Sequence, residues 1–114
     1  LPEQEIPNLL LQPLVENAIV HGILPNKAKR GTLYLTVTKV NSQIHFIIMD
    51  NGIGIPEEKI SSLTQTQSDG YGLKNVHERL KLTYGETYGL TIHSIVNEST
   101  MITFTIPVQN DSSR

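Results

Sequence analysis

The apolar run IHFIIM, residues 44 to 49, stops at Asp50-Asn51-Gly52, with a second glycine at Gly54. Asn-Gly between two apolar runs is the strongest short hairpin signal. A hairpin at this point would need GIGIPEE as its second strand, a stretch with two glycines, a proline and no β-branched residue beyond its two isoleucines. A loop entering a helix fits better. The strand then finds its partner upstream, in TLYLTVTKV across the turn Asn41-Ser42, and the pair is antiparallel. Asp50 stands at the strand's end, followed by glycines that let a ligand approach the backbone.

The remaining segments assemble around that pair. LLLQPLVENAIVHG places Leu11, Leu14, Val15 and Ala18 on one helical stripe, with Gly22 as the stop. Pro13 leaves the start of this helix open, since a proline removes one backbone bond and the turn from Asn8 to Gln12 could be separate or kinked. Pro56 with Glu57 and Glu58 marks the first turn of a short helix that fades near Leu63. TQTQSDG is polar and bounded by glycine, the composition of either a mobile lid or a plain loop. GYGLKNVHERLKLTYG gives a second long helix through Leu73, Val76, Leu80 and Tyr84, ended by Gly85. LTIHSIV and MITFTIPV form a closing strand pair across NEST, and the tail QNDSSR frays. The order predicts one α+β domain over residues 1–108 with a polar tail at 109–114: a two-layer sandwich, helices covering one face of a mixed, largely antiparallel sheet.

Composition narrows the function. A net charge of -2 and only four tyrosines and two phenylalanines argue against nucleic acid as a partner. No apolar run approaches the length of a membrane span, so no membrane contact is expected of this piece. The absence of cysteine excludes disulfides and thiolate metal sites and suits a cytosolic chain.

Three features share one chemical theme. Asn17 lies at the margin of the first helix's apolar stripe, with His21 one turn on. Its amide oxygen is a neutral hard ligand suited to magnesium, or else a buried group bonded to backbone. Asp50 could accept a hydrogen bond from an exocyclic amine such as that of adenine. Gly70 and Gly72, just before the second long helix, would offer backbone N–H groups at the positive end of its dipole, with Lys74 adding charge. Neither glycine pair completes a dinucleotide fingerprint, and there is no P-loop. Lys27, Lys29 and Arg30 cluster in the loop after the first helix and rank second as phosphate ligands, because clustered loop cations are usually solvated. Glu78 and Arg79 could be surface residues or pair partners.

In order and spacing these features resemble the ATP-binding catalytic domain of sensor histidine kinases, within the group that also includes gyrase-type topoisomerases and mismatch-repair ATPases. LLQPLVENAIVHG is similar to the family's N box, DNGIGI to its G1 box and GYGLKNVHERL to its G2 box. The phrases LQPLVENA and GLKNVHERL resemble most the LytS/YesM type of two-component sensor kinases. The resemblance implies the Bergerat α/β sandwich with ATP between helices and sheet. It makes Asn17 the magnesium-binding asparagine and Asp50 the acid that selects adenine. Gly52, Gly54 and Ile55 would shape the base pocket, with His21 nearby, while Gly70, Tyr71, Gly72 and Leu73 would bring backbone to the phosphates. Lys74 and Asn75 fall where phosphate or ribose contacts are expected.

Pro13 stands where hydrolysing relatives carry a glutamate that activates water, so direct ATP hydrolysis is not expected, and no lid phenylalanine matches the family's F box. None of the four histidines has the setting of a phosphoacceptor. The implied function is Mg-ATP binding and transfer of the γ-phosphate to a histidine on a separate upstream dimerisation helix. A response regulator would be the next acceptor, and the full-length protein would be a homodimer with this domain on the cytoplasmic side of a membrane-bound sensor. The alternatives are an ATP-binding switch module or anti-sigma-type serine kinase acting on a protein partner, and a small interaction domain whose glycines only make turns.

Overall fold

The computed structural model describes residues 6–27, 30–65 and 72–108. Helix α1 (Ile6–Asn17) runs unbroken through Pro13 and passes directly into a π-helical turn, Ala18–Ile23. Strands β1 (Leu33–Val40) and β2 (Gln43–Asp50) follow, then α2 (Glu57–Leu63), α3 (Leu73–Tyr84), β3 (Thr91–Ile95) and β4 (Ser99–Pro107). The sheet has the order β1-β2-β4-β3, and the sheet expected to be largely antiparallel is antiparallel at all three of these pairings.

The strand face that meets the helices follows from the period of two. Phe46 and Ile48 on β2 stand opposite Phe104 and Ile102 on β4, and all four are buried. The two phenylalanine rings stack with centroids 4.6 Å apart. From the helices, Leu10, Leu14 and Ala18 meet Leu73, Val76 and Leu80 above this surface. α3 buries Leu73, Val76 and Leu80 of the stripe that its spacing marks, with Tyr84 half-buried, whereas on α1 the buried line is Leu10, Leu14 and Ala18, and Leu11 and Val15, expected on the stripe, are half-buried at its margin. Gly85, at φ 132°, ends α3 in a conformation that disfavours a side chain.

Two boundaries differ from the sequence reading. Pro13 does not divide α1, because its missing N–H costs one bond while Leu10 and Leu14 on either side anchor the helix in the core. β4 begins at Ser99, so half of the stretch NEST belongs to a strand and only residues 96–98 turn, with Asn97 at φ 67°. That two-residue extension puts Thr100 directly opposite both Asp50 and Ser94. Of the polar segment expected to be a lid or loop, residues 66–70 lie outside the described residues, as does Tyr71.

The candidate nucleotide site

Asp50 is the last residue of β2 and points to the helix side, where it is 3% exposed. β2 is bonded on both edges, so the carboxyl is fixed at the rim of the apolar layer. The Gly52 N–H donates to Asp50 Oδ1 at 2.8 Å, a local turn bond of the kind that aspartate favours. Burial pushes the Asp50 pKa above the ordinary 3.8, and the Gly52 N–H partly opposes that rise.

Two glycines make this arrangement possible. A Cβ on Gly22 would lie 2.6 Å from Asp50 Oδ1, and one on Gly52 would fall on the Gly22 carbonyl. The Ile53 N–H donates to that same carbonyl at 3.0 Å. The π turn and the loop after β2 thus touch backbone to backbone, and the acid sits beneath the contact. Asn51 braces the loop from the other side: its Oδ1 accepts the Thr32 N–H at 2.7 Å and its Nδ2 donates to the Arg30 carbonyl at 2.9 Å. Arg30 is exposed, and its carbonyl is what serves the site.

Asn17 is the last α-helical residue before the chain widens into the π turn, where the Leu24 N–H bonds the Ile19 carbonyl five residues back. Such bulges are frequent at functional sites. Asn17 is 5% exposed, and its Oδ1 has no hydrogen-bond partner. An unmet buried acceptor costs about 1–3 kcal/mol, so it marks a place where a ligand or ordered water belongs.

The loop beyond Gly52 is tied to the far edge of the sheet. Gly54 adopts φ 77°, and a Cβ there would approach the Ile95 carbonyl to 2.5 Å. The Asn97 N–H donates to the Ile53 carbonyl at 2.7 Å, and the Ile55 N–H to Ser94 Oγ at 2.8 Å. Asn17, His21, Gly22, Asp50, Gly54, Ile55 and Thr100 together line one small cleft.

Five of the residues expected at the site, Asn17, His21, Asp50, Gly54 and Ile55, therefore meet in one cleft. Gly52 lies behind Asp50 as its support. Gly72, Leu73, Lys74 and Asn75 stand apart from that cleft, at the start of α3. Gly72 precedes the helix at φ 74° with open space where a Cβ would be, and as the cap residue it brings no side chain to the helix start. Leu73 is a core residue, 1% exposed, which anchors that first turn. Lys74 Nζ is 3.3 Å from Glu78, so its charge is shared along the helix. Gly22 and Thr100 were missed. Gly22 reads as a helix stop, and Thr100 as part of a turn until β4 is seen to start at Ser99.

His77 has a structural role: its Nδ1 accepts the Leu90 N–H at 3.0 Å, tying α3 to the entry of β3. Burial lowers its pKa below 6.5, and Lys81 lowers it further. His45 and His93 lie on the sheet face away from the helices, as their register opposite Thr105 and Met101 requires. Among the described residues no group of three or more His, Asp or Glu could hold a metal by itself.

The sequence pattern of histidine kinase-, DNA gyrase B- and HSP90-like ATPases matches residues 3–110. This chain belongs to that family. It is 44% identical over 106 residues to the sensor histidine kinase YpdA of Escherichia coli, an alignment that covers 91% of this chain and 18% of YpdA. It is 39% identical over 106 residues to the sensor histidine kinase YesM of Bacillus subtilis, covering 93% of this chain and 18% of YesM. The chain thus spans about a fifth of the curated relatives it matches. Its backbone is similar to the nucleotide-free catalytic domain of the histidine kinase ThkA, with a TM-score of 0.69 at 20% identity over 87% of this chain and 63% of that one. The α+β sandwich is accordingly the fold of histidine kinase catalytic domains. Among the described residues no helix is long and apolar enough to cross a membrane.

Proposed function

We propose that this domain binds Mg-ATP and, in the protein of which it forms a part, presents the γ-phosphate to a histidine on a separate dimerisation helix. The observation that carries the reading is the cleft around Asp50. A buried carboxyl, held by Gly52 and roofed by Gly22, faces a cleft that Asn17, with its unpartnered oxygen, also lines. An adenine amine donates where that space accepts. Ribose and phosphates would run from the base past Asn17 towards the start of α3, where Gly72 brings no side chain and the positive end of the helix suits an anion.

Asn17 fits magnesium by the chemistry of its donor, a neutral hard oxygen with no protein partner. The ion would supply charge neutralisation between the phosphates. The protein's own share is positioning: Asp50 fixes the base, the backbone at Gly72 to Asn75 receives the phosphates, and Leu73 keeps that backbone in register with the core. In the transfer step the bond between the γ-phosphorus and the bridging oxygen of ADP breaks, and a bond from phosphorus to an imidazole nitrogen forms. The acceptor histidine lies outside this chain, with a response-regulator aspartate as the next acceptor and a homodimer as the full-length assembly.

Calorimetric titration with ATP, ADP and GTP, with and without Mg²⁺, tests this reading. The expected result is adenine-selective binding that strengthens with Mg²⁺ for ATP. A folded chain that binds no adenine nucleotide overturns it.

A further inference from the structure

Across the end of the sheet, on the helix side, Asp50, Thr100 and Ser94 form one cross-strand row over β2, β4 and β3. Ser94 Oγ lies 2.8 Å from each of three polar atoms: the Ile55 nitrogen, the Ser99 carbonyl oxygen and Thr100 Oγ1. A hydroxyl has one proton to give. The Ile55 N–H donates to Ser94, and the Ser99 carbonyl only accepts, so the Ser94 proton points to Ser99. Were it pointed to Thr100 instead, two oxygens would face each other at 2.8 Å with no hydrogen between them. Thr100 therefore directs its own proton to Ser94 and turns lone pairs towards the cleft it lines. With the Asp50 carboxylate, the end of the sheet then presents two side-chain acceptors to the cleft, from β2 and β4.

We propose that Ser94 is a positioning residue for base selection: by accepting the Thr100 proton it holds Thr100 as an acceptor, so the cleft takes a 6-amino purine and rejects a 6-oxo purine. The inference rests on the nucleotide reading above and adds to it a residue outside the cleft. A 6-oxo group would set its own lone pairs against Thr100 and Asp50, and a buried polar mismatch of this kind separates ligands far more sharply than a difference in size. Without Ser94, the Thr100 hydroxyl is free to rotate and donate to the 6-oxo group.

The test compares ADP with IDP, inosine diphosphate, by calorimetry on this chain as wild type, Ser94→Ala, Ser94→Thr and Thr100→Val. Ser94→Ala is expected to narrow the ADP-over-IDP ratio about tenfold, the worth of one buried hydrogen bond, and Ser94→Thr to restore it. Thr100→Val is expected to narrow the ratio too, because the amine loses an acceptor and the 6-oxo group loses nothing. Ser94→Ala weakening both ligands equally would show a merely structural serine and overturn the inference. Should Ser94→Ala not fold, Thr100→Val decides alone: a ratio unchanged or widened means that Thr100 is no acceptor. Wild type that binds neither nucleotide overturns the adenine reading itself, which is a separate outcome from wild type that binds ADP while the variants keep its selectivity.

Discussion

Asp50 combines two demands that oppose each other. Its carboxyl is placed where an amine needs an ionised acceptor, and burial there disfavours the ionised form. A carboxyl whose folded pKa is raised adds stability below 3.8 and loses it as pH rises through the folded value, so at pH 7 the charge is a net cost. Asp50→Asn keeps an oxygen for the Gly52 N–H and removes that cost. The expected outcome is a chain at least as stable as wild type in urea at pH 7, with ADP affinity reduced about ten- to a hundredfold by loss of a charged acceptor. Lower stability of the variant at pH 7 would contradict this account. Gly52 behaves in the opposite way, being structural first. Gly52→Ala places a methyl on the Gly22 carbonyl, and the overpacking should lower stability by about 1–3 kcal/mol in the same urea experiment. These residue-scale roles were legible in part. Asp-Asn-Gly marks Asp50 from sequence, whereas nothing in the string pairs Gly52 with Gly22 thirty residues earlier.

At the scale of elements, the π turn and α3 each carry a device that periodicity does not disclose. A helical stripe through Leu14 and Ala18 predicts a helix, but the change from i→i+4 to i→i+5 bonds after Asn17 is set by contact with the loop beyond β2. For α3, the pattern and its terminal glycine yielded the boundaries, while the joint with β3 rests on one imidazole. His77 must be neutral at Nδ1 to accept the Leu90 N–H. Its folded pKa is lowered, so its contribution is complete above 6.5 and falls away as pH drops from there through the folded value. His77→Asn offers an acceptor near the same place without titrating. Stability measured between pH 7 and 5 should decline more steeply for wild type than for this variant, and parallel profiles would argue against the imidazole as the cause. The Lys74–Glu78 pair on the same helix is half-exposed, and Glu78→Gln should change stability by no more than about 0.5 kcal/mol.

For the whole molecule, the cleft joins the π turn, the end of β2, the loop beyond it and the start of β4, so a ligand bound there ties both ends of the fold together. Binding only the folded state, ADP at a hundred times its dissociation constant stabilises by about 2.7 kcal/mol, which in a domain of this size raises the melting temperature by roughly 10 °C. A thermal scan should show that shift for wild type and lose between about half and most of it in Asp50→Asn at the same ADP concentration, as a ten- to hundredfold weaker affinity requires. The sequence alone determined the element order, the two antiparallel hairpins and the apolar stripe of α3, and it marked Asn17, Asp50 and Gly72 as motif positions, because these depend on local periodicity, turn chemistry and short spacings. Only the tertiary structure decided which atoms of the cleft accept and which donate. Thr100 faces Asp50 through a strand register fixed by the packing of Phe46 on Phe104, and the direction of its proton is set by Ser94 on a third strand. Asp50 and Thr100 sit fifty residues apart in the chain, beyond the reach of any local pattern, and although Ser94 is only six residues from Thr100, its contact depends on where β4 starts.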